Sequence, residues 1–260
     1  MKFAMKSIVA ATAFVAMGVA SAATVTVTAD GTTVSNGFTA TGSGALTFSD
    51  NLVGALTLGN VTVGAFGTGA TWDAATNTVT AKMSTISYES TTGKVTQVVT
   101  SGGATQTMAA STTLKADGGS GQVGNLDVRF NADGSASVYG TITGTSNKGV
   151  AVNFSDVLFT VAAADVSGAT SWTNAAGTYN TTLSNVAITS AGFTALAKVF
   201  GLTAGGLGYI SLQGAAANFG TINSSIVVSK AVGAVPEPST YALMGLGLVG
   251  MGLVARRRAK

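Results

Sequence analysis

Between Thr24 and Ser229 apolar and polar residues alternate with a period of two. That spacing places one set of side chains on each face of an extended strand. Strands are predicted at 24–28, 45–49, 56–58, 60–63, 78–83 and 94–99, each bounded by Gly, Asn or Asp that supply turn chemistry. A hairpin is predicted over 126–143, turning at Asp133-Gly134, where glycine tolerates positive φ. Further strands are predicted at 150–154, 157–161, 179–183, 186–189, 207–212 and 221–229. One segment changes period. Phe193, Leu196, Ala197 and Phe200 fall at i, i+3, i+4 and i+7, which predicts a short helix packed on a sheet. Ser190 is its expected cap and Gly201 its expected stop. The whole pattern predicts an all-β fold, an antiparallel sandwich or barrel of roughly ten or more strands with one short helix. A β-solenoid is the alternative, although no exact internal repeat is present.

The two ends follow different patterns. At the start, Lys2 and Lys6 precede an apolar run from Ile8 to Val19, and Ala20-Ser21-Ala22 is a small-x-small cleavage site before Ala23. Residues 1–22 therefore read as a secretory signal peptide, the alternative being a retained anchor. At the other end, Val235-Pro236-Glu237-Pro238-Ser239-Thr240 is followed by an uncharged apolar run from Tyr241 to Ala255 and then by Arg256-Arg257-Arg258-Ala259-Lys260. Both prolines of the chain, Pro236 and Pro238, lie in this motif. Each fixes its own φ and biases the residue before it toward extended backbone, so Pro-Glu-Pro is a stiff peptide that a processing enzyme can thread. The apolar run would reach about 22 Å as a helix, short of the roughly 20 residues usually needed to span a bilayer. Snorkelling arginines extend it, and their charge places the C-terminus in the cytoplasm. Without the proline motif the same run reads as an ordinary tail anchor or a buried helix.

This three-part ending resembles the PEP-CTERM sorting signal of Gram-negative bacteria. Tyr241 stands where many members of that family carry Trp; both are interface residues. The resemblance covers 235–260 only. It implies that exosortase, an integral membrane enzyme, recognises Pro236, Glu237 and Pro238, and that the reacting nucleophile belongs to that enzyme. It also implies producers of exopolysaccharide and biofilm matrix. The implied route uses the secretion machinery, passes transiently through the inner membrane by way of Tyr241 to Ala255, with Arg256, Arg257 and Arg258 as the stop, and ends at the cell surface or outside the cell.

Charge alters the picture of the remaining domain, 23–234. The chain is formally +3, but six of its thirteen basic residues lie in the two end segments. The domain keeps seven basic residues against nine acidic ones, without a basic stripe, which gives nucleic-acid binding no support. Charged residues are only 9%, and mean hydropathy is +0.45. The chain is therefore not a charge-rich disordered one. Its polar positions are mostly Thr and Ser, suited to hydrogen bonding with water or sugars. Cysteine and histidine are absent. That removes disulfides, a Ser-His-Asp triad, a thiol nucleophile and zinc or copper sites of the usual kind.

The remaining chemistry is thin. A glycosidase needs two carboxylates, yet Asp30, Asp50, Asp117 and Asp133 sit beside Gly or Asn in turn-like contexts, leaving Asp127 and Asp156 in strand patterns. Asp117-Gly118-Gly119-Ser120-Gly121 only loosely resembles a calcium turn and lacks the regular aspartate spacing of such repeats. Trp72 and Trp172 lie among Thr, Ser and Asn, a setting suited to stacking on sugars, although core anchoring is the commoner role of tryptophan. The expectation is an exported, non-enzymatic envelope or matrix protein without metal or cofactor, structural or adhesive in exopolysaccharide. A carbohydrate-binding module and an envelope polysaccharide-processing enzyme are the alternatives.

Overall fold

The computed structural model describes residues 23–231 apart from 34, 36, 173 and 174. The expected signal peptide, the Tyr241 to Ala255 segment and the sorting motif lie outside the described residues. Within them the chain runs through β1 (Thr24–Thr28), β2 (Phe38–Phe48), α1 (Asp50–Leu58), β3 (Thr62–Phe66), β4 (Thr71–Asp73), β5 (Thr78–Glu89) and β6 (Val95–Ser101). It continues through β7 (Gly103–Met108), β8 (Gly119–Phe130), β9 (Ala136–Ser146), β10 (Ala151–Val161) and β11 (Val166–Gly168). It ends with β12 (Gly177–Ile188), α2 (Ser190–Val199), α3 (Leu207–Gly214) and β13 (Gly220–Lys230).

All the strands belong to one antiparallel sheet, and the sheet closes on itself. Going round, β5 pairs with β2, then come β13, β12, β10, β9, β8 and β6, and β6 returns to β5. These eight strands form a barrel. Closure removes most open edges. Of the five strands outside the ring, β7 is paired on both sides, by β8 and β3, and the outermost four, β1, β3, β4 and β11, are five residues or fewer, which keeps exposed edges short.

Two seams are narrow. The β10–β12 seam holds two residue pairs, Phe159 with Ile188 and Thr160 with Ala187. The β6–β8 seam holds three, from Gln97 with Arg129 to Val99 with Asp127. The second is short because β8 changes partner: residues 119–124 pair with β7, and the register shifts before 127–129 pair with β6. The joint is Asn125, at φ 52°, a left-handed conformation that Asn tolerates better than most residues. Its Oδ1 accepts from the Gly102 amide at 3.1 Å, tying the kink in β8 to the bend between β6 and β7.

Alternation fills the barrel. One cluster includes Phe48, Val79, Val138, Ile142, Leu158, Phe159 and Val186, with α2 packed into it through Phe193, Leu196, Ala197 and Val199. A second cluster around Ile86, Tyr88, Trp172 and Ile226 fills the other end. The predicted helical face is buried as expected, but the cap differs. Thr189, not Ser190, accepts from the Gly192 amide at 3.1 Å, and Gly201 follows the last turn at φ 57°.

Two predicted strands are helices, so the described residues hold three α-helices rather than one. Leu56-Thr57-Leu58 ends α1, which Ser49 caps by accepting from Leu52 N at 3.2 Å. Leu52, 1% exposed, and Leu56 four residues on lie on one helical face. Residues 207–212 form α3, whose Tyr209 meets Phe193 edge-on at 5.0 Å. Alternation over so few residues cannot tell strand from helix, and packing against neighbours decides. Conversely, 150–154 with 157–161 and 179–183 with 186–189 merge into the long strands β10 and β12, each interrupted by a register shift.

Candidate functional site

The path of the chain sets the pole at which the described residues end. Phe38 pairs with Lys230 and Thr24 with Glu89. The first and last described strands therefore leave the barrel at the same pole. The opposite pole, where Phe48 pairs with Gly220 and Val186 with Gly220, carries all three helices. β13 spans the distance between poles with eleven residues, about 36 Å at ~3.3 Å per residue.

The tryptophans have different fates. Trp172 is 2% exposed and stacks at 4.8 Å on Tyr88 inside the second core cluster. It offers no face to a sugar, which removes Trp172 from the two candidate stacking residues and leaves it the commoner, core-anchoring role. Trp72, on β4, is half-buried, with Phe48 at 5.4 Å. It lines a groove of about 330 Å³ together with Thr57, Asn60, Asn77 and the aliphatic side chains of Val53, Val61 and Val63. An aromatic ring flanked by amides and a hydroxyl is the donor and acceptor set that grips a sugar ring. Asn60 and Asn77 both adopt positive φ, at 47° and 50°, in the tight connections that bring them to Trp72. The sequence reading placed Asn60 at the start of a strand and did not single out Asn77; the cue was Asn at the end of a short element, before a strand.

A second groove, also about 330 Å³, lies on the outer face of β7, β8 and β9. The register builds it in rows. Thr105, Gln122, Thr143 and Asn153 stand opposite one another across four strands, and Thr62, Thr107, Ser120 and Thr145 form the next row. Thr107, Ser120, Gln122, Thr143, Thr145 and Asn153 are exposed, and no charged residue lines the groove. The sequence showed the Thr-x-Thr pairs; only strand pairing could align them.

The carboxylates do not converge. Asp127 accepts from Arg129 at 2.7 Å and from Gln97 at 2.8 Å, while the Arg129 guanidinium lies 4.1 Å over the Tyr139 ring. This cluster bridges the β6–β8 seam. The paired Asp127 carboxylate holds the Arg129 guanidinium proton more tightly than usual. Asp117 pairs with Lys148 at 2.7 Å. Asp156 accepts from the Val157 amide at 2.7 Å. Asp30, Asp73 and Asp133 each cap a turn, and hydrogen bonds hold all three below the usual carboxylate range. The first causes are the Thr32 amide for Asp30, the Thr76 hydroxyl for Asp73 and the Ser135 hydroxyl for Asp133. Asp50 departs from its expected turn and opens α1. Among the described residues no group of three or more Asp or Glu is placed to hold a metal ion.

Residues 234–258 match the family model of the PEP-CTERM protein-sorting motif. The chain carries a PEP-CTERM sorting signal. The motif implies an exported precursor that passes through the membrane and is handled by exosortase. Among the described residues no helix is long and apolar enough to cross a membrane, and Tyr241 to Ala255, the expected spanning segment, lies outside them. No curated protein and no solved structure matches the chain.

Proposed function

We propose that the barrel is a non-enzymatic, structural or adhesive component of the cell envelope or extracellular matrix that holds uncharged polysaccharide. In this reading exosortase cuts near Pro236 to Pro238, the Tyr241 to Lys260 segment is left behind, and the barrel is released or attached outside. The observation that carries the carbohydrate part is the groove at Trp72, where a half-buried indole meets the amides of Asn60 and Asn77. The threonine rows on β7 to β9 support the same ligand class with a second uncharged, hydroxyl-lined surface. Carboxylates engaged in turns and ion pairs, and a chain without His or Cys, favour binding over hydrolysis.

Two experiments test this. Mass spectrometry of the mature protein from a producing strain is expected to find chains lacking Arg256 to Lys260; recovery of that tail on most molecules refutes processing. Co-sedimentation with the producing cell's own matrix polysaccharide is expected to retain the protein and to release it on Trp72→Ala. Equal retention of the variant removes Trp72 from the site.

A further inference from the structure

The barrel interior is not completely filled. A cavity of about 60 Å³ lies among side chains of β2, β5, β6, β8, β10 and β12, including Phe48, Val79, Met83, Val98, Phe159 and Leu183. Most interiors hold few voids larger than a water molecule. A water needs roughly 10–15 Å³ of such space, and an engineered apolar void of about 150 Å³ admits benzene. This cavity lies between those sizes. No charged residue lines it.

One polar side chain stands out in its wall. Gln106, on β7, is 4% exposed and borders the cavity. Its carboxamide hydrogen-bonds to no side chain or backbone group among the described residues, whereas Thr100, also buried, donates to the Leu126 carbonyl at 3.2 Å. The fully buried side-chain polar atoms without a partner among the described residues are Trp172 Nε1 and Asn218 Oδ1; the Gln106 amide is not sealed in this way and is left open at the cavity wall. Alternation forces the orientation: Ala104, Gln106 and Met108 are buried while Thr107 is exposed. A Leu at 106 would fit the wall as well by size, so packing alone does not call for an amide there.

We propose that this cavity is a binding site for a small, uncharged, mainly apolar molecule carrying one hydroxyl or carbonyl group, which the Gln106 amide engages. The absence of charge in the wall excludes ions, since nothing there repays their desolvation. The volume limits the ligand to a few heavy atoms. Entry has a route in the barrel's weakest joints: Phe159 belongs to the two-pair β10–β12 seam, and Val98 and Val128 to the three-pair β6–β8 seam, and all three line the cavity. Few hydrogen bonds need part there. The inference is independent of the carbohydrate reading, which concerns the outer surface.

The test uses the full-length chain in phosphatidylcholine nanodiscs with 13C-labelled methionine methyl groups. Met83 lines the cavity, and Met108, buried elsewhere, is the internal control. Titration with ethanol, whose three heavy atoms suit the volume, is expected to shift the Met83 signal saturably and leave Met108 in place. Ethane is expected to bind more weakly, and Gln106→Leu to reduce the alcohol's advantage by about two- to tenfold, the worth of one neutral hydrogen bond. No saturable Met83 shift in the unaltered protein means the void is a packing gap, and overturns the proposal. An alcohol-to-alkane ratio unchanged in Gln106→Leu overturns the role of the amide.

Discussion

At the scale of single residues, the two tryptophans show how one residue type serves opposite ends. Trp172 is sealed against Tyr88, so Trp172→Ala is expected to cost about 3–5 kcal/mol in urea unfolding, as for other large core truncations. Trp72→Ala removes part of a groove wall, and its main effect is expected on polysaccharide retention. The turn aspartates give a pH dependence. Asp30, Asp73 and Asp133 have folded pKa values held below the ordinary 3.8. Their contribution is therefore present above the unfolded pKa and lost as pH falls through the folded one. The three turns are expected to loosen only below about pH 4, readable as faster amide exchange at Thr32, Ala75 and Ser135, with little change between pH 5 and 8.

At the scale of elements, most strands were legible, while β4, β7, β11 and two helices were not. The β8–β9 hairpin turns as its Asp-Gly pair predicted. Asn131 N donates to Ser135 O at 2.8 Å, Asp133 Oδ1 accepts from Ser135 N, and Gly134 sits at φ 86°. Gly134→Ala is expected to destabilise by about 1 kcal/mol or more in chemical denaturation, since a Cβ disfavours that φ. α1 was missed because Leu56-Thr57-Leu58 alternates like a strand. Its start signal lay further back, in Ser49, whose hydroxyl caps Leu52 N and donates to the Asn218 carbonyl at 2.6 Å. Ser49→Ala is expected to cost about 1–2 kcal/mol, because the cap and a long-range tie are lost together. α3 is harder to read: Tyr209 and Ile210 favour strands intrinsically, and its helical state follows from packing beside α1 and against Phe193.

At the scale of the molecule, closure of the ring joins two apolar clusters into one folding unit. Ile86 lies in one and Leu158 in the other, both fully buried. Ile86→Val and Leu158→Ala are expected to add within about 0.5 kcal/mol in a double-mutant cycle, and unfolding to remain a single transition. Closure also fixes where the described chain leaves the barrel. β13 is the last strand, paired along its length with β2 and with β12 on its other edge. Five residues separate Lys230 from Pro236, at most about 18 Å of chain. The chain therefore runs on to the sorting motif from the pole that carries Lys230, opposite the helical pole.

The sequence by itself determined the class of the fold and the address. Period-two alternation is a local property that survives any arrangement of strands, and a proline motif, apolar run and arginine cluster act as a linear signal. Only the tertiary structure decided that the sheet closes, that Trp172 is core while Trp72 borders a groove, and that threonines distant in sequence align in rows. Those outcomes depend on which strand pairs with which and in what register. Pairing joins residues such as Thr62 and Thr107 that lie 45 positions apart, a distance over which the pattern of the chain carries no signal.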